Sequence, residues 1–196
     1  MSGARPKGRL RAVLALGTVV GLSPVGTLAS WTDTAPITGT TFKSGTIDLQ
    51  LNDLNAVTST TLSMTDMAPG ATSSEVFRVK NAGSAPFTYT ITGGLGGTDA
   101  AAFATASALK LNISANGTRS GTGNAATCTG GTAVVTGLAL TANTAATVVG
   151  TAQGQLASGA TGAPLCFQVT FATDAPTTLQ GKTATATFTV TATSTP

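Results

Sequence analysis

Residues 183–193 read Thr183-Ala184-Thr185-Ala186-Thr187-Phe188-Thr189-Val190-Thr191-Ala192-Thr193, with threonine at every second position and small or apolar residues between. A repeat of two is the period of a β-strand, whose successive side chains point to opposite faces. Threonine is β-branched, so it suits a pleated surface and loses χ1 freedom in a helix. The stretch predicts a long strand with a hydroxylated outer face and an inner face of Ala184, Ala186, Phe188, Val190 and Ala192.

The same alternation recurs upstream. Ile47, Leu49 and Leu51 alternate with Asp48, Gln50 and Asn52, and Phe77 and Val79 flank Arg78. Phe87, Tyr89 and Ile91 alternate with threonines, Leu109, Leu111 and Ile113 with Lys110, Asn112 and Ser114, and Phe167, Val169 and Phe171 with Gln168 and Thr170. Weaker strand patterns cover Thr60–Thr65, Thr132–Leu140 and Ala145–Thr151. Turn chemistry separates them at Ala68-Pro69-Gly70-Ala71, Asn81-Ala82-Gly83 and Ala175-Pro176, where proline fixes φ and glycine permits positive φ. Gly93, Gly94, Gly96 and Gly97 read as a loop, and Asp99–Ala108 as one short helix capped by Thr98 or Asp99. Taken together the pattern predicts an all-β chain: a two-sheet antiparallel sandwich, jelly-roll or Ig-like, with about eight or nine strands and at most one short helix.

The first residues have a different character. Arg5, Lys7, Arg9 and Arg11 precede a largely apolar span, Ala12 to Ala29, which ends in small residues. That order is the order of a secretory signal, with cleavage at Ala29 or Ser30 and the exported chain starting at Ser30 or Trp31. A membrane-spanning helix is the competing reading, but Pro24 with Gly21 and Gly26 would break its second half. The boundaries follow: residues 1–30 a signal peptide, 31–43 an extended N-terminal segment, 44–196 the sandwich. With residues 1–30 removed, six basic and seven acidic side chains remain, a net charge of −1. The basic character of the whole chain therefore belongs to the signal, and the exported part has no nucleic-acid footprint.

Cys128 and Cys166 both lie in the part expected to be exported. In an oxidising compartment an even count favours a bond between them, worth on the order of 4 kcal/mol through unfolded-state entropy; two buried free thiols are the alternative.

The stretches Thr27-Leu28-Ala29-Ser30-Trp31-Thr32-Asp33-Thr34-Ala35 and Thr41-Phe42-Lys43-Ser44-Gly45-Thr46-Ile47-Asp48-Leu49 resemble the start of the TasA/camelysin family. Met67-Ala68-Pro69-Gly70 and Val79-Lys80-Asn81-Ala82-Gly83-Ser84 are similar to its later segments, and Cys166-Phe167-Gln168-Val169-Thr170 through Leu179-Gln180-Gly181-Lys182-Thr183 to its actinobacterial members. The resemblance covers residues from about 12 to 92 and 164 to 193. It implies export through a SipW-type signal peptidase, no stable membrane insertion after cleavage, and a jelly-roll sandwich that in TasA self-associates into biofilm-matrix fibres linked by donated strands. Camelysin relatives are instead described as surface metalloproteases.

The residues themselves argue against protease chemistry. A catalytic zinc needs three protein ligands and an open position, yet the chain has no His, a single Glu at position 75, and no closely spaced cysteines. A Ser or Cys nucleophile would lack an imidazole base. The sequence therefore predicts no enzyme, no cofactor and no metal. The expected function is a secreted structural subunit of a cell surface or biofilm matrix, self-associating into fibres; the alternatives are a monomeric adhesion or ligand-binding sandwich and, behind it, a camelysin-like protease. The segment expected to be donated is residues 31–42, with Trp31, Pro36, Ile37 and Phe42 as its marked residues. Trp31 reads equally as an anchor of its own domain or as a docking residue.

Overall fold

The computed structural model describes residues 44–55, 62 and 64–195. The chain divides into two units, Met1–Phe42 and Lys43–Pro196, and every element below belongs to the second. Ala29, Ser30, Trp31, Pro36, Ile37 and Phe42 lie outside the described residues.

The elements in chain order are β1 (Leu49–Leu51), β2 (Thr72–Phe77), β3 (Val79–Asn81), β4 (Phe87–Gly96), α1 (Ala100–Thr105), β5 (Leu109–Ala115), β6 (Thr118–Ser120), β7 (Thr127–Thr129), β8 (Thr132–Ala139), β9 (Thr147–Leu156), β10 (Leu165–Phe171), a 3₁₀ turn at Thr177–Leu179 and β11 (Thr185–Ser194). One sheet runs β2-β10-β5-β8 and the other β11-β4-β9, with small pairs β1-β3 and β6-β7 beside them. Every strand pairing is antiparallel.

The core forms where the alternating apolar faces meet. Phe87, Tyr89, Ile91 and Leu95 of β4 are buried with Leu109, Leu111 and Ile113 of β5 and Leu165, Phe167, Val169 and Phe171 of β10. Phe103 of α1 joins them, its ring centroid 6.4 Å from that of Phe171. Burying side chains of this size stabilises by about 1.5–3 kcal/mol each.

Four expectations need correction. Gly93, Gly94 and Gly96 are not a loop but the last part of β4. A side chain at Gly94 would strike the Asn143 carbonyl, and one at Gly93 would strike the Phe188 ring, so glycine here serves close approach within a sheet rather than a turn. The helix is shorter than Asp99–Ala108, ending at Thr105 before Ser107 takes a positive φ of 48°; Asp99, its N-cap residue, makes no side-chain cap bond, because its carboxylate is taken by Lys182 and the Thr183 N–H. The alternating Phe77–Val79 pattern is split at Arg78 into β2 and β3. Of the expected strand Thr60–Thr65, the described residues 62, 64 and 65 are not in a strand.

The turn after β3 is built on Asn81, a fully buried side chain. Its Nδ2 donates to the carbonyls of Ala85 and Leu156, and its Oδ1 accepts from the Gly83 N–H, all at 2.9 Å. Ser84 then ties down the approach to β1, its Oγ accepting from the Thr46 N–H at 2.9 Å. A side chain on Gly83 would meet the Thr46 carbonyl.

Candidate functional site

The two sheets leave an opening along one side, between β2 and β11. A crevice of about 470 Å³ runs in there. Phe167 forms its floor, with ring centroids 5.2 Å from Phe77 on the β2 side and 5.3 Å from Phe188 on the β11 side. Val169, Leu109 and Ile91 lie deeper, Ala186 and Val190 complete the β11 wall, and Leu51, Leu62, Met64 and Met67 stand at the rim. None of the lining residues is charged.

The sheet edges bordering this seam differ. In an antiparallel strand the backbone groups of alternate residues point to opposite neighbours. On β2, those of Thr72, Ser74 and Val76, with Arg78 beyond it, point away from β10, and at least one backbone group of each is bonded. The Thr72 N–H donates to the Asn124 carbonyl at 2.9 Å. The Ser74 carbonyl accepts from Arg119 Nε at 2.7 Å, and the Val76 carbonyl from Asn52 Nδ2 at 3.4 Å. The Arg78 N–H donates to Asn52 Oδ1 at 2.8 Å, and the Asn52 N–H to the Arg78 carbonyl at 3.0 Å.

The opposite side of the sandwich is guarded in another way. There β8 and β9 touch. Both pair with register irregularities, β8 against β5 and β9 against β4, and glycines interrupt them at Gly137, Gly150 and Gly154. Bulges and glycines twist an edge out of register with an incoming strand.

The β11 edge carries none of these devices. Its ten residues pair with β4 without a register shift and include no Gly, Pro or charged residue. The Thr195 N–H points to β4, bonding the Pro86 carbonyl at 3.0 Å, so the backbone groups of Ala186, Phe188, Val190 and Ala192 point the other way. Among the described residues, β4 is the one strand bonded to β11. Its inward side chains are half-buried, whereas those of the central strand β4 are mostly buried.

Cys128 and Cys166 are joined, with an S–S distance of 2.01 Å, and this bond straps the β6–β7 hairpin to β10. No titratable residue is among those lining the crevice. Asp99 is held below the ordinary carboxylate range by the Thr183 N–H first and by Lys182 second. Burial pushes the Tyr89 phenol up, so it stays neutral. Asp53 and Lys80 form an exposed ion pair at 2.6 Å. Among the described residues no three His, Cys, Asp or Glu side chains come together in a group able to hold a metal.

Periodicity did not single out Asn52, Arg119 or Asn124, the residues that close the β2 edge. All three are polar residues in or beside turns, and their bonds to the β2 edge span 24 to 52 positions along the chain, which no local pattern reveals.

No described helix is long and apolar enough to cross a membrane. No curated protein matches the chain. The family model described as camelysin metallo-endopeptidase matches residues 7–90, a span that takes in β1, β2, β3, the Asn81-Gly83-Ser84 turn and the first part of β4. Over residues 7–90 the chain is therefore similar to the camelysin/TasA family.

Proposed function

We propose that the protein is an exported structural subunit of a cell surface or biofilm matrix, and that it assembles by strand donation, residues 31–42 of one copy lying along β11 of the next. The observation that carries this reading is the bare edge of β11 beside an apolar crevice, in a sandwich whose other edges are capped or irregular. Residues 31–42 are long enough to span the ten residues of β11. In an extended chain Trp31, Asp33, Ala35 and Ile37 share one face, so Ala35 and Ile37 would enter the apolar slot with Asp33 towards its end. In such an arrangement main-chain hydrogen bonds supply affinity and side-chain pockets supply register. A head-to-tail contact does not close on itself, so it propagates as a filament.

The family description names a metallo-endopeptidase, and the donors of this chain do not fit that role. It has no His and one Glu, both cysteines are in the disulfide, and Asp53 and Asp99 are paired to Lys80 and Lys182. A catalytic zinc needs three protein ligands, and among the described residues the remaining carboxylates form no group of three that could hold a metal.

The volume of the crevice supports a second reading, since about 470 Å³ falls within the range of small-molecule pockets. A monomeric sandwich that binds an apolar ligand would use the same walls. Electron microscopy of the exported chain beginning at residue 31, beside one beginning at residue 43, separates the two. Strand donation predicts filaments from the longer chain and folded monomers from the shorter. Undiminished filaments from the shorter chain would rule donation out, and monomers from both would favour the ligand-binding reading.

A further inference from the structure

The β6–β7 hairpin is a poor structure on its own. Its strands are three residues each, β6 is wholly exposed, and a lone two-stranded hairpin is at best marginal in water. The sheet face beneath it is partly polar, although Ala126, just before β7, is fully buried. Ser74 Oγ and Ser114 Oγ are buried without a hydrogen-bond partner, and Ser114 lies directly across the β5–β10 ladder from Cys166. Yet the hairpin and its turn make specific contacts with the edge of β2. Ala125 forms a parallel bridge with Thr72, the Asn124 carbonyl takes the Thr72 N–H, and Arg119 reaches the Ser74 carbonyl. Asn124 Nδ2 also donates to the Thr65 carbonyl at 2.6 Å, on the approach to β2. The Cys128–Cys166 bond and the Cys128 N–H to Gln168 Oε1 contact, at 2.7 Å, anchor the hairpin to β10, one strand in from that edge.

We propose that the hairpin β6–β7 is a covalently tethered guard over the β2 edge, and that it limits each subunit to a single acceptor edge for the extended strand of a second copy. Without it, the backbone groups of Thr72 and Ser74 would face solvent across the crevice mouth from β11, giving the seam two open edges. An unguarded edge recruits strands from other chains. The disulfide adds a covalent attachment to the hairpin's own packing. The inference rests on the strand-donation reading for its effect on filament form, and on the hairpin geometry alone for the state of the edge.

The test uses the full exported chain and two variants. Arg119→Ala leaves the disulfide in place, and the combination Cys128→Ser, Cys166→Ser and Arg119→Ala releases the hairpin. The guard predicts that amide exchange at Thr72 quickens about tenfold or more in the released variant while the core amides of β4 and β5 stay protected. It also predicts that straight unbranched filaments give way to branched or laterally fused ones, with Arg119→Ala intermediate. Unchanged exchange at Thr72, or freed exchange with filaments identical to the parent, overturns the proposal. If the parent forms no filaments, strand donation fails separately. The guard is then read from size: association of the released variant supports it, and a monomer overturns it. If the released variant does not fold, Arg119→Ala carries the test, and a variant indistinguishable from the parent in both readouts overturns the guard.

Discussion

Asn81 and Leu156 lie far apart in the chain, and the Asn81 amide donates to the Leu156 carbonyl across 2.9 Å in the protein interior. The same side chain satisfies the Ala85 carbonyl and the Gly83 N–H, so one amide closes a turn and fastens the end of β9 to it. Asn81→Ala would leave two carbonyls and one N–H without a side-chain partner. A loss of about 3 kcal/mol is expected by urea denaturation, and a cost under about 1 kcal/mol would show that water replaces the amide.

Ser74 presents the reverse case. It is fully buried and its hydroxyl has no partner, so Ser74→Ala removes a desolvated group without orphaning another. The expected change is from neutral to about 1 kcal/mol more stable. Destabilisation of about 2 kcal/mol or more would mean that the hydroxyl is bonded in solution.

Asp99 should make stability depend on pH. Its folded carboxyl is held below the ordinary range by the Thr183 N–H and then by Lys182. A depressed folded value contributes stability above the unfolded carboxylate range and loses it as pH falls through the folded value. Asp99→Ala should therefore be the less stable protein near neutrality, with the gap closing on acidification. A gap of constant size into strong acid would assign the effect to α1 instead.

Alternation of large side chains made most of the sandwich legible, because Phe87, Tyr89, Ile91, Leu109, Leu111, Ile113, Phe167 and Val169 each mark a buried face by a period of two. The β6–β7 hairpin carried no such mark: Thr118, Arg119, Ser120 and Thr127–Thr129 have no apolar face to display. Nor did Gly93 and Gly94, whose place inside β4 depends on Phe188 and Asn143 from distant segments. The threonine alternation identified β11, but a bare edge is a property of neighbours. It became visible only when Asn52, Arg119 and Asn124 were seen to occupy the edge of β2.

Substitutions on β11 separate its two faces. Val190 points into the crevice and is half-buried, whereas Thr191 is exposed on the outer face. Val190→Lys places a charge where a donated strand would pack, a device that natural edges use against pairing. It should abolish filaments while the monomer stays folded. Thr191→Lys should leave filaments intact, and equal loss from both would point to charge or instability rather than to the crevice.

The most direct test of assembly at β11 is amide hydrogen exchange on this strand, compared between assembled and monomeric protein. The amides of Ala186, Phe188, Val190 and Ala192, which point away from β4, should exchange readily in the monomer and become protected in the filament, while those of Thr187, Thr189 and Thr191 are protected in both. Outward amides that exchange equally fast in filament and monomer would contradict the account, because no strand would then lie along the edge on which it depends.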